Sequence, residues 1–187
     1  MDATTLIQHC QAGDYAAIES FVITYRSSVF KLALSILNDP DEAEEASQEA
    51  FIAALKGIKT FRGEADIKTW LFTITLNECR KRHRKRQGWE RLKDQVLSLF
   101  HLEKNFAVQP EDAVIQNQRD TVLWNAVQAL GEKHRLPVIL YYYHDLPVTE
   151  IASVLGVRTG TVLSRLHTAR ERLRPALQGI WRQEDYA

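Results

Sequence analysis

The sequence predicts an all-α fold of two small helical domains joined by a flexible linker. Apolar residues recur three or four positions apart along most of the 187-residue chain, as one face of an α-helix requires. No run shows the period-two alternation of apolar and polar residues that is typical of a half-buried strand. The helical pattern fails between Gln87 and Glu111, where scattered apolar residues predict a linker with at most a short helix.

Composition and charge limit the classes of protein to which the chain can belong. Hydrophobic residues make up 45% of the sequence, which suffices for a packed core. The 24 basic and 24 acidic side chains cancel, but they are segregated along the chain. Six acidic residues lie between Asp39 and Glu49, and eight Lys or Arg lie between Glu78 and Lys93. We therefore expect different faces of the protein to bind different partners.

Nothing in the sequence indicates secretion, membrane insertion or a cofactor. No basic flank with an apolar run opens the chain, no apolar stretch approaches membrane-spanning length, and the two cysteines lack framework spacing. Cys79 and His83 could share a helix face, but two further metal ligands are not in sight. The sequence also lacks a Gly-rich phosphate loop and a nucleophile elbow. We expect a cytoplasmic protein that is not an enzyme and uses neither cofactor nor metal.

Capping and helix-breaking residues divide the first domain, residues 1–87, into helices. Asp39 and Pro40 predict a new helix start after a stop at Asn38, because Asp caps helices and proline fits only a first turn. The predicted elements are helices over 6–37 (broken near Gly13), 41–56 and 67–85, with a loop over 57–66. The buried candidates of the middle helix are Ala43, Ala46, Ala50, Phe51, Ala54 and Leu55.

The second domain, residues 119–187, follows a linker over 88–118. Its first helix ends at Gly131 and has four apolar core candidates: Val122, Leu123, Val127 and Leu130. The next helix runs from Glu132 to His144. Pro137 is expected to be tolerated there only if it lies in the first turn, because proline cannot donate the backbone hydrogen bond that a helix interior needs.

A helix-turn-helix is predicted between Leu146 and Arg174. Gly156 can adopt the positive φ that a sharp turn between helices requires. The core candidates of the two helices are Ile151, Ala152, Leu155, Val162, Leu166, Ala169 and Leu173. The outward face of the second helix is polar and basic, as recognition in the DNA major groove requires. A plain surface pair of amphipathic helices is the alternative.

Two charged segments of the first domain indicate different partners. The basic run Arg80–Arg86 follows Trp70 and Asn77 on one predicted helix, and proteins bind single nucleic-acid strands with such aromatic and basic residues. A solvated charge run is the alternative. The acidic helix extends too far beyond its first turn to be explained by capping, and it suits a basic protein partner. The acidic and amide residues in question are Glu45, Gln48 and Glu49.

With these residues the chain resembles a sigma factor of the sigma-70 family, in its small extracytoplasmic-function (ECF) group. DEAEEASQEAF resembles the helix that docks on the clamp coiled coil of core RNA polymerase. FRGEADIKTWLFTITLNECRKRHRKR resembles the promoter-melting and minus-ten segment. ALGEKHRLPVILYYYHDLPVTEIASVLGVRTGTVLSRLHTARERL resembles the minus-thirty-five domain. The last segment alone is shared by other bacterial regulators, whereas the three in this order are specific and cover nearly the whole chain.

The resemblance implies roles for individual residues. The implied polymerase-docking residues are Asp41, Glu45, Gln48, Glu49 and Phe51. The implied residues for capturing a base flipped from the non-template strand are Phe61, Gly63, Ala65 and Trp70, and those for further strand contacts are Asn77, Arg80 and Arg84. The implied minus-thirty-five contacts are Arg158, Thr159, Gly160, Thr161, Ser164, Arg165, His167 and Arg170. The implied domains are region 2 over residues 1–87 and region 4 over residues 119–187.

The resemblance also implies partners. The first is core RNA polymerase, contacted through its clamp coiled coil and its flap. The second is promoter DNA, as duplex and as non-template single strand, and the third is an anti-sigma factor. No direct membrane insertion is implied. Two positions depart from the family pattern and are expected to affect promoter preference: Ile67 replaces a common aromatic, and Leu163 replaces a common Lys or Arg. A stand-alone dimeric regulator is the alternative function, but it leaves the acidic helix and the Trp70–Arg86 segment unexplained.

Overall fold

A computed structural model of the chain describes the backbone of residues 2–99 and 118–182, and the side chains of residues 2–86 and 121–178. All regular secondary structure in these ranges is helical, which confirms the predicted all-α fold. The chain divides into two compact units, Met1–Gln109 and Pro110–Ala187. Residues 100–117 of the predicted linker lie outside the described residues.

In the described part of the first unit, the helices begin and end near the capping and helix-breaking residues of the sequence. Its elements are α1 (Ala3–Ala12), α2 (Tyr15–Leu37), α3 (Pro40–Gly57), a 3₁₀ turn (Ile58–Thr60) and α4 (Ile67–Leu99). Asp14 and Asp39 begin α2 and α3 by accepting hydrogen bonds from backbone N–H groups that lack a partner within the helix. Asn38 ends α2 in the left-handed conformation, with φ of 53°. The predicted breaks near Gly13 and at residues 38–40 are confirmed.

Helix α4 is longer than predicted. It continues beyond residue 85 and past Gly88 to Leu99, into the stretch that the sequence assigned to the linker. A single glycine in a helix costs only about 1 kcal/mol relative to alanine. Most residues of Trp89–Leu99 favour helix or are neutral toward it, so the lack of a regular apolar face did not prevent helix formation.

The core of the first unit forms around α2, which packs against α1, α3 and α4. Phe21 and Val29 of α2 are fully buried in a cluster with residues of the other helices. A second cluster comprises Ala33, Ala43, Ala46 and Cys79. The alanines of these clusters allow α3 to approach its neighbours closely, because they carry no side chain beyond Cβ.

By length and composition alone, α2 could cross a membrane. This contradicts the expectation that no apolar stretch reaches that length, because α2 is continuous over 23 residues although polar residues interrupt its apolar runs. A core helix of a soluble protein can have the same length and composition. The buried residues of α2 are used in packing against the rest of the first unit: Ala17, Phe21, Val29, Leu32, Ala33 and Ser35.

The described part of the second unit is built on its last helix. Its elements are α5 (Gln118–Gln128), α6 (Glu132–Val138), a π turn (Ile139–Tyr143), α7 (Val148–Leu155) and α8 (Thr159–Arg182). Helix α8 contacts α5, α6 and α7. Val127 and Leu130 are buried as predicted, whereas Val122 is 50% exposed and lies outside the core.

Pro137 does not lie in a first turn, contrary to expectation. It is the sixth residue of α6 and is buried. Because proline has no N–H, it cannot donate to the carbonyl of Lys133, and the backbone then continues as the wider π turn. The predicted single helix from Glu132 to His144 is therefore a short α-helix followed by a π turn.

Candidate functional site

The predicted docking side chains of α3 lie mainly on one exposed face. At 3.6 residues per turn, Asp41, Glu45, Gln48 and Glu49 fall within an arc of about 100°. All four are exposed. The other side of the helix is buried through its alanines. These four residues therefore form a continuous acidic face, the term used below for this surface.

Phe51, the fifth predicted docking residue, lies in the core and not on the acidic face, which confirms its prediction as a buried residue of this helix. Its side chain is 8% exposed and packs edge-on against Phe21, with the ring centroids 6.2 Å apart. It points away from the acidic face, so it supports α3 from inside. The exposed apolar residue of this face is Ile52, which is 46% exposed. Its position two helical turns after Glu45 is the sequence signal that would have identified it.

Arg82 of α4 reaches the edge of the acidic face. Its Nε donates a hydrogen bond to Glu42 Oε2 at 2.5 Å, and its Nη2 donates to a carboxylate oxygen of Glu45. Burial lowers the pKa of the guanidinium, but the hydrogen bonds and charges of the two glutamates outweigh this effect and raise its pKa overall. One cation of the basic run is thus directed to the protein's own carboxylates, which the sequence pattern did not reveal.

An aromatic pair lies at the base of the loop before α4. The ring centroids of Phe61 and Trp70 are 5.0 Å apart, the rings are inclined by 50°, and both residues are half-buried. Gln11 of α1 holds this loop, because its Nε2 donates to the carbonyl oxygens of Ile58 at 3.0 Å and Phe61 at 2.9 Å. A Cβ on Gly57 would lie 3.4 Å from the Trp70 ring, so the indole packs directly on that backbone.

The other two residues predicted to capture a base lie on the exposed part of the same loop. Gly63 has φ of +75°, in the left-handed region that glycine adopts without strain, and Ala65 is exposed nearby in the chain. Asp66 then begins α4, since its Oδ1 accepts a hydrogen bond from the Lys68 backbone N–H at 2.8 Å. A Cβ added to Gly63 would meet no atom within 4 Å, so the loop is open at this position.

Ile67, the first departure from the family pattern, is 4% exposed. It packs in the same buried cluster as Leu71. Its side chain therefore belongs to the core and not to the exposed loop where a base would bind.

Asn77, Arg80 and Arg84 follow one side of α4, because Arg84 lies about two turns after Asn77. Asn77 and Arg84 are exposed and Arg80 is half-buried. Cys79 is fully buried, and burial raises the pKa of its thiol to about 12. Within the described residues, no group of three or more His, Cys, Asp or Glu could hold a metal ion.

Helices α7 and α8 form the predicted helix-turn-helix. Gly156 has φ of +64°, and its N–H donates to the Ser153 carbonyl at 3.2 Å. The Val157 N–H donates to the Ala152 carbonyl at 3.0 Å, which completes the paired hydrogen bonds of a Schellman helix end. The predicted turn is confirmed.

The packing of this motif also follows the predicted spacing, with one difference. The buried residues are Ile151, Ala152, Val154, Val162, Leu166, Ala169 and Leu173. Val154 is buried where Leu155 was expected, and Leu155 is half-buried. The two side chains differ in direction by about 100° around the helix, and that of Val154 lies on the buried side.

The outward face of α8 presents the predicted minus-thirty-five residues to solvent. Those that are exposed are Arg158, Thr159, Gly160, Ser164, His167 and Arg170, and those that are half-buried are Thr161 and Arg165. Leu163, the second departure from the family pattern, is 52% exposed in this region. His134 of α6 lies behind the helix, 6% exposed, with its Nδ1 3.4 Å from the Arg165 carbonyl oxygen.

Three consecutive tyrosines are exposed in the π turn, and the sequence pattern had predicted no role for them. Tyr141, Tyr142 and Tyr143 are 39%, 54% and 54% exposed. The ring of Tyr143 lies 6.1 Å from that of Trp124, and the rings of Tyr141 and Tyr142 meet edge-on at 4.9 Å. Clustered exposed aromatic residues are typical of protein-binding surfaces. The run of three tyrosines was the available signal.

Comparison with known families assigns both units. Residues 21–89 match Sigma-70 region 2, and residues 121–173 match Sigma-70, region 4. The fold and the exposed surfaces therefore define a transcription initiation factor of the sigma-70 type.

Individual relatives identify the group within the sigma-70 family. The ECF RNA polymerase sigma factor SigW of Bacillus subtilis (strain 168) is 31% identical over 179 residues, which cover 93% of this chain and 96% of SigW. The RNA polymerase sigma-H factor of Pseudomonas aeruginosa is 30% identical over 184 residues, which cover 95% of each chain. The chain belongs to the ECF group of the sigma-70 family, whose members are transcription initiation factors and not enzymes.

Solved structures share the fold. The sigma factor RpoE in complex with the anti-sigma factor NepR from Bartonella quintana superposes with a TM-score of 0.67 at 25% identity, covering 86% of this chain and 96% of RpoE. CnrH, solved in complex with the cytosolic domain of CnrY, superposes with a TM-score of 0.68 at 20% identity, covering 94% of this chain and 96% of CnrH.

Proposed function

We propose that this chain binds core RNA polymerase in the bacterial cytoplasm and directs it to promoters through minus-ten and minus-thirty-five recognition. The observation that carries the proposal is the juxtaposition of two opposite surfaces on neighbouring helices of the first unit. Helix α3 exposes an acidic face suited to a basic protein, and α4 exposes cations suited to a nucleic-acid strand. A stand-alone DNA-binding regulator needs only the second unit.

The acidic face is the proposed docking surface for the clamp coiled coil. Asp41, Glu45, Gln48 and Glu49 supply charge and hydrogen-bonding capacity, and charge complementarity favours association with a basic partner. Ile52 adds an apolar contact in the middle of these polar groups. Exposed apolar side chains surrounded by polar ones are typical of the centre of a protein interface.

The loop before α4 is the proposed minus-ten site. Extruding a base from duplex DNA costs a few kcal/mol, which stacking on aromatic side chains offsets. Phe61 and Trp70 provide such surfaces, and Gln11 holds their loop in place. Asn77 supplies hydrogen bonds and Arg84 supplies positive charge further along the strand. The proposed pocket is therefore organised before the strand enters it.

The exposed face of α8 is the proposed minus-thirty-five reader. Its short hydroxyl side chains are at the helix N-terminus, where a recognition helix approaches base edges most closely. Arg165 and Arg170 lie further along and suit phosphate contacts. Leu163 cannot hydrogen-bond a base edge, but it can contact a thymine methyl group.

Two further partners belong to the proposal. The exposed tyrosines of the π turn are the proposed contact for the polymerase flap, since an exposed aromatic cluster supports protein binding. The sigma factor RpoE was solved with an anti-sigma factor, NepR. We propose an anti-sigma factor as a partner of this chain on the basis of that relationship.

Run-off transcription tests the function. Purified core polymerase with and without the chain would be supplied with fragments of the source genome. We expect new discrete transcripts whose start sites share two spaced upstream elements. The matched control is the variant Gln48→Lys/Glu49→Lys, which reverses charge on the acidic face and should give none of these transcripts. Specific binding to duplex DNA without core binding or new start sites would contradict the proposal and identify a stand-alone regulator.

A further inference from the structure

The basic run of α4 does not face in one direction. Arg84 is exposed, on the side of the helix that also carries Asn77. Arg82 lies on the other side, about one turn beyond Cys79, which is buried among the alanines that join α3 to α4. Adjacent cations of one sequence run are thus divided between two surfaces.

Arg82 is bound by two carboxylates of α3 at once. Its Nε donates to Glu42 Oε2 at 2.5 Å, and its Nη2 donates to Glu45 Oε2. The Arg82 side chain is 24% exposed, whereas that of Glu45 is 63% exposed. The arginine is therefore mostly covered, and the glutamate remains accessible to a partner while one of its oxygens is held.

We propose that Arg82 is a positioning residue of the polymerase-docking surface, and not a DNA contact: it holds the Glu45 carboxylate in one orientation for the basic partner. This inference rests on the proposed role of the acidic face. The fork of an arginine can bind both glutamates simultaneously, which a lysine cannot do with the same geometry. Holding a flexible side chain in its bound orientation removes part of the entropy cost of association.

Arg82 has two opposing effects on docking: repulsion of a basic partner by its charge, and orientation of the Glu45 side chain. Its positive charge repels a basic partner, and because Arg82 contacts Glu45 directly, a partner cation at Glu45 would lie within the Debye length of about 8 Å, where salt screens the repulsion only in part. Fixing one rotamer-rich side chain corresponds to roughly threefold to tenfold in affinity. A positioning role requires the orientation effect to exceed this repulsion, and the expected sign follows from that role: removing Arg82 weakens core binding.

The test compares Arg82 with its exposed neighbour in the full-length chain. The variants Arg82→Gln, Arg82→Lys and Arg84→Gln would be assayed for affinity toward core polymerase, and the holoenzymes for the salt dependence of promoter binding. We expect Arg82→Gln and Arg82→Lys to weaken core binding roughly threefold or more without changing the salt slope. Arg84→Gln should reduce the salt slope by about one and leave core binding unchanged. Thermal unfolding of each variant verifies that the folded protein is measured.

A double-mutant cycle with Glu45→Gln separates positioning from general support of the fold. If Arg82 acts through Glu45, Arg82→Gln should have little further effect on core affinity in the Glu45→Gln background. An equal loss in both backgrounds, tighter core binding by Arg82→Gln, or a reduced salt slope like that of Arg84→Gln would overturn the inference. If Glu45→Gln itself leaves core binding unchanged, the proposed docking role of Glu45 fails; if it weakens binding and Arg82→Gln does not, only the role of Arg82 fails.

Discussion

At the scale of single residues, neighbouring positions on α3 have opposite roles. Phe51 is buried against Phe21, and Ile52 is exposed on the acidic face, although both are large apolar residues in adjacent positions. One step along a helix rotates the side chain by about 100°, which separates core from surface. Residue type alone cannot distinguish them, whereas the helical spacing from the surrounding acidic residues can.

This pair gives the first prediction. Phe51→Ala should lower the free energy of unfolding by about 3–5 kcal/mol, because it removes a buried ring and leaves a cavity. Ile52→Ala should change stability by no more than about 0.5 kcal/mol and weaken core binding by about fivefold or more. Chemical denaturation and core titration measure the two effects, with Phe51→Leu as a milder core control. Normal core binding by Ile52→Ala would remove this residue from the docking surface.

Arg165 gives a second prediction at this scale. If its guanidinium contacts a phosphate, Arg165→Ala should weaken holoenzyme binding to the minus-thirty-five element and reduce the salt slope by about one. The exposed Lys133 of α6 provides a control, and its replacement by alanine should leave the slope unchanged. Measurement of promoter affinity over a series of salt concentrations distinguishes the two. An unchanged slope for Arg165→Ala would assign Arg165 to contacts within the second unit.

At the scale of elements, the ends of helices determine where functional side chains are presented. Gly156 ends α7 in the left-handed region, and the two hydrogen bonds of the Schellman turn set the start of α8. The loop before α4 depends likewise on Gln11, which reaches it from α1. Sequence patterns predicted the turn because glycine has a local conformational preference. They did not predict the Gln11 contact, whose partners lie far along the chain.

The turn gives the third prediction. Gly156→Ala should destabilise the second unit by about 1–2 kcal/mol, because a side chain is strained at this positive φ. The control is Gly160→Ala, at a helical position where an added Cβ has no atom within 4 Å. Alanine is a better helix former than glycine, so this variant should be as stable as the parent chain or slightly more so. Thermal unfolding provides the comparison, and equal stability of the two variants would contradict the assigned role of Gly156.

At the scale of the whole molecule, the balanced net charge conceals opposed surfaces. The first unit carries both the acidic face and the cations of α4, and the second carries the basic face of α8. Acidic residues near a DNA-binding surface repel phosphates until a protein partner covers them. Linking the two proposed DNA-binding surfaces to one polymerase would raise the effective concentration of each at the promoter. We therefore expect free protein to be a poor DNA binder.

This expectation gives the fourth prediction. The holoenzyme should bind promoter duplex at least about tenfold more tightly than the free chain under the same salt conditions. The variant Gln48→Lys/Glu49→Lys should show the opposite changes: tighter binding of the free chain to DNA, because repulsion is reduced, and loss of core binding. Equilibrium titrations of labelled promoter duplex measure both. Equally tight binding by free chain and holoenzyme would contradict the repulsion argument.

Local chemistry in the sequence by itself determined the helical class, the break near Gly13, the helix start at Asp39, the turn at Gly156 and the buried stripe of α8. Each depends on residues within a few positions of one another, so periodicity and capping reveal it. Only the tertiary structure decided that Arg82 binds Glu42 and Glu45 and that Gln11 holds the loop of Phe61. The physical reason is that these partners are brought together by packing between helices, across separations of 37 to 50 residues that no local pattern encodes.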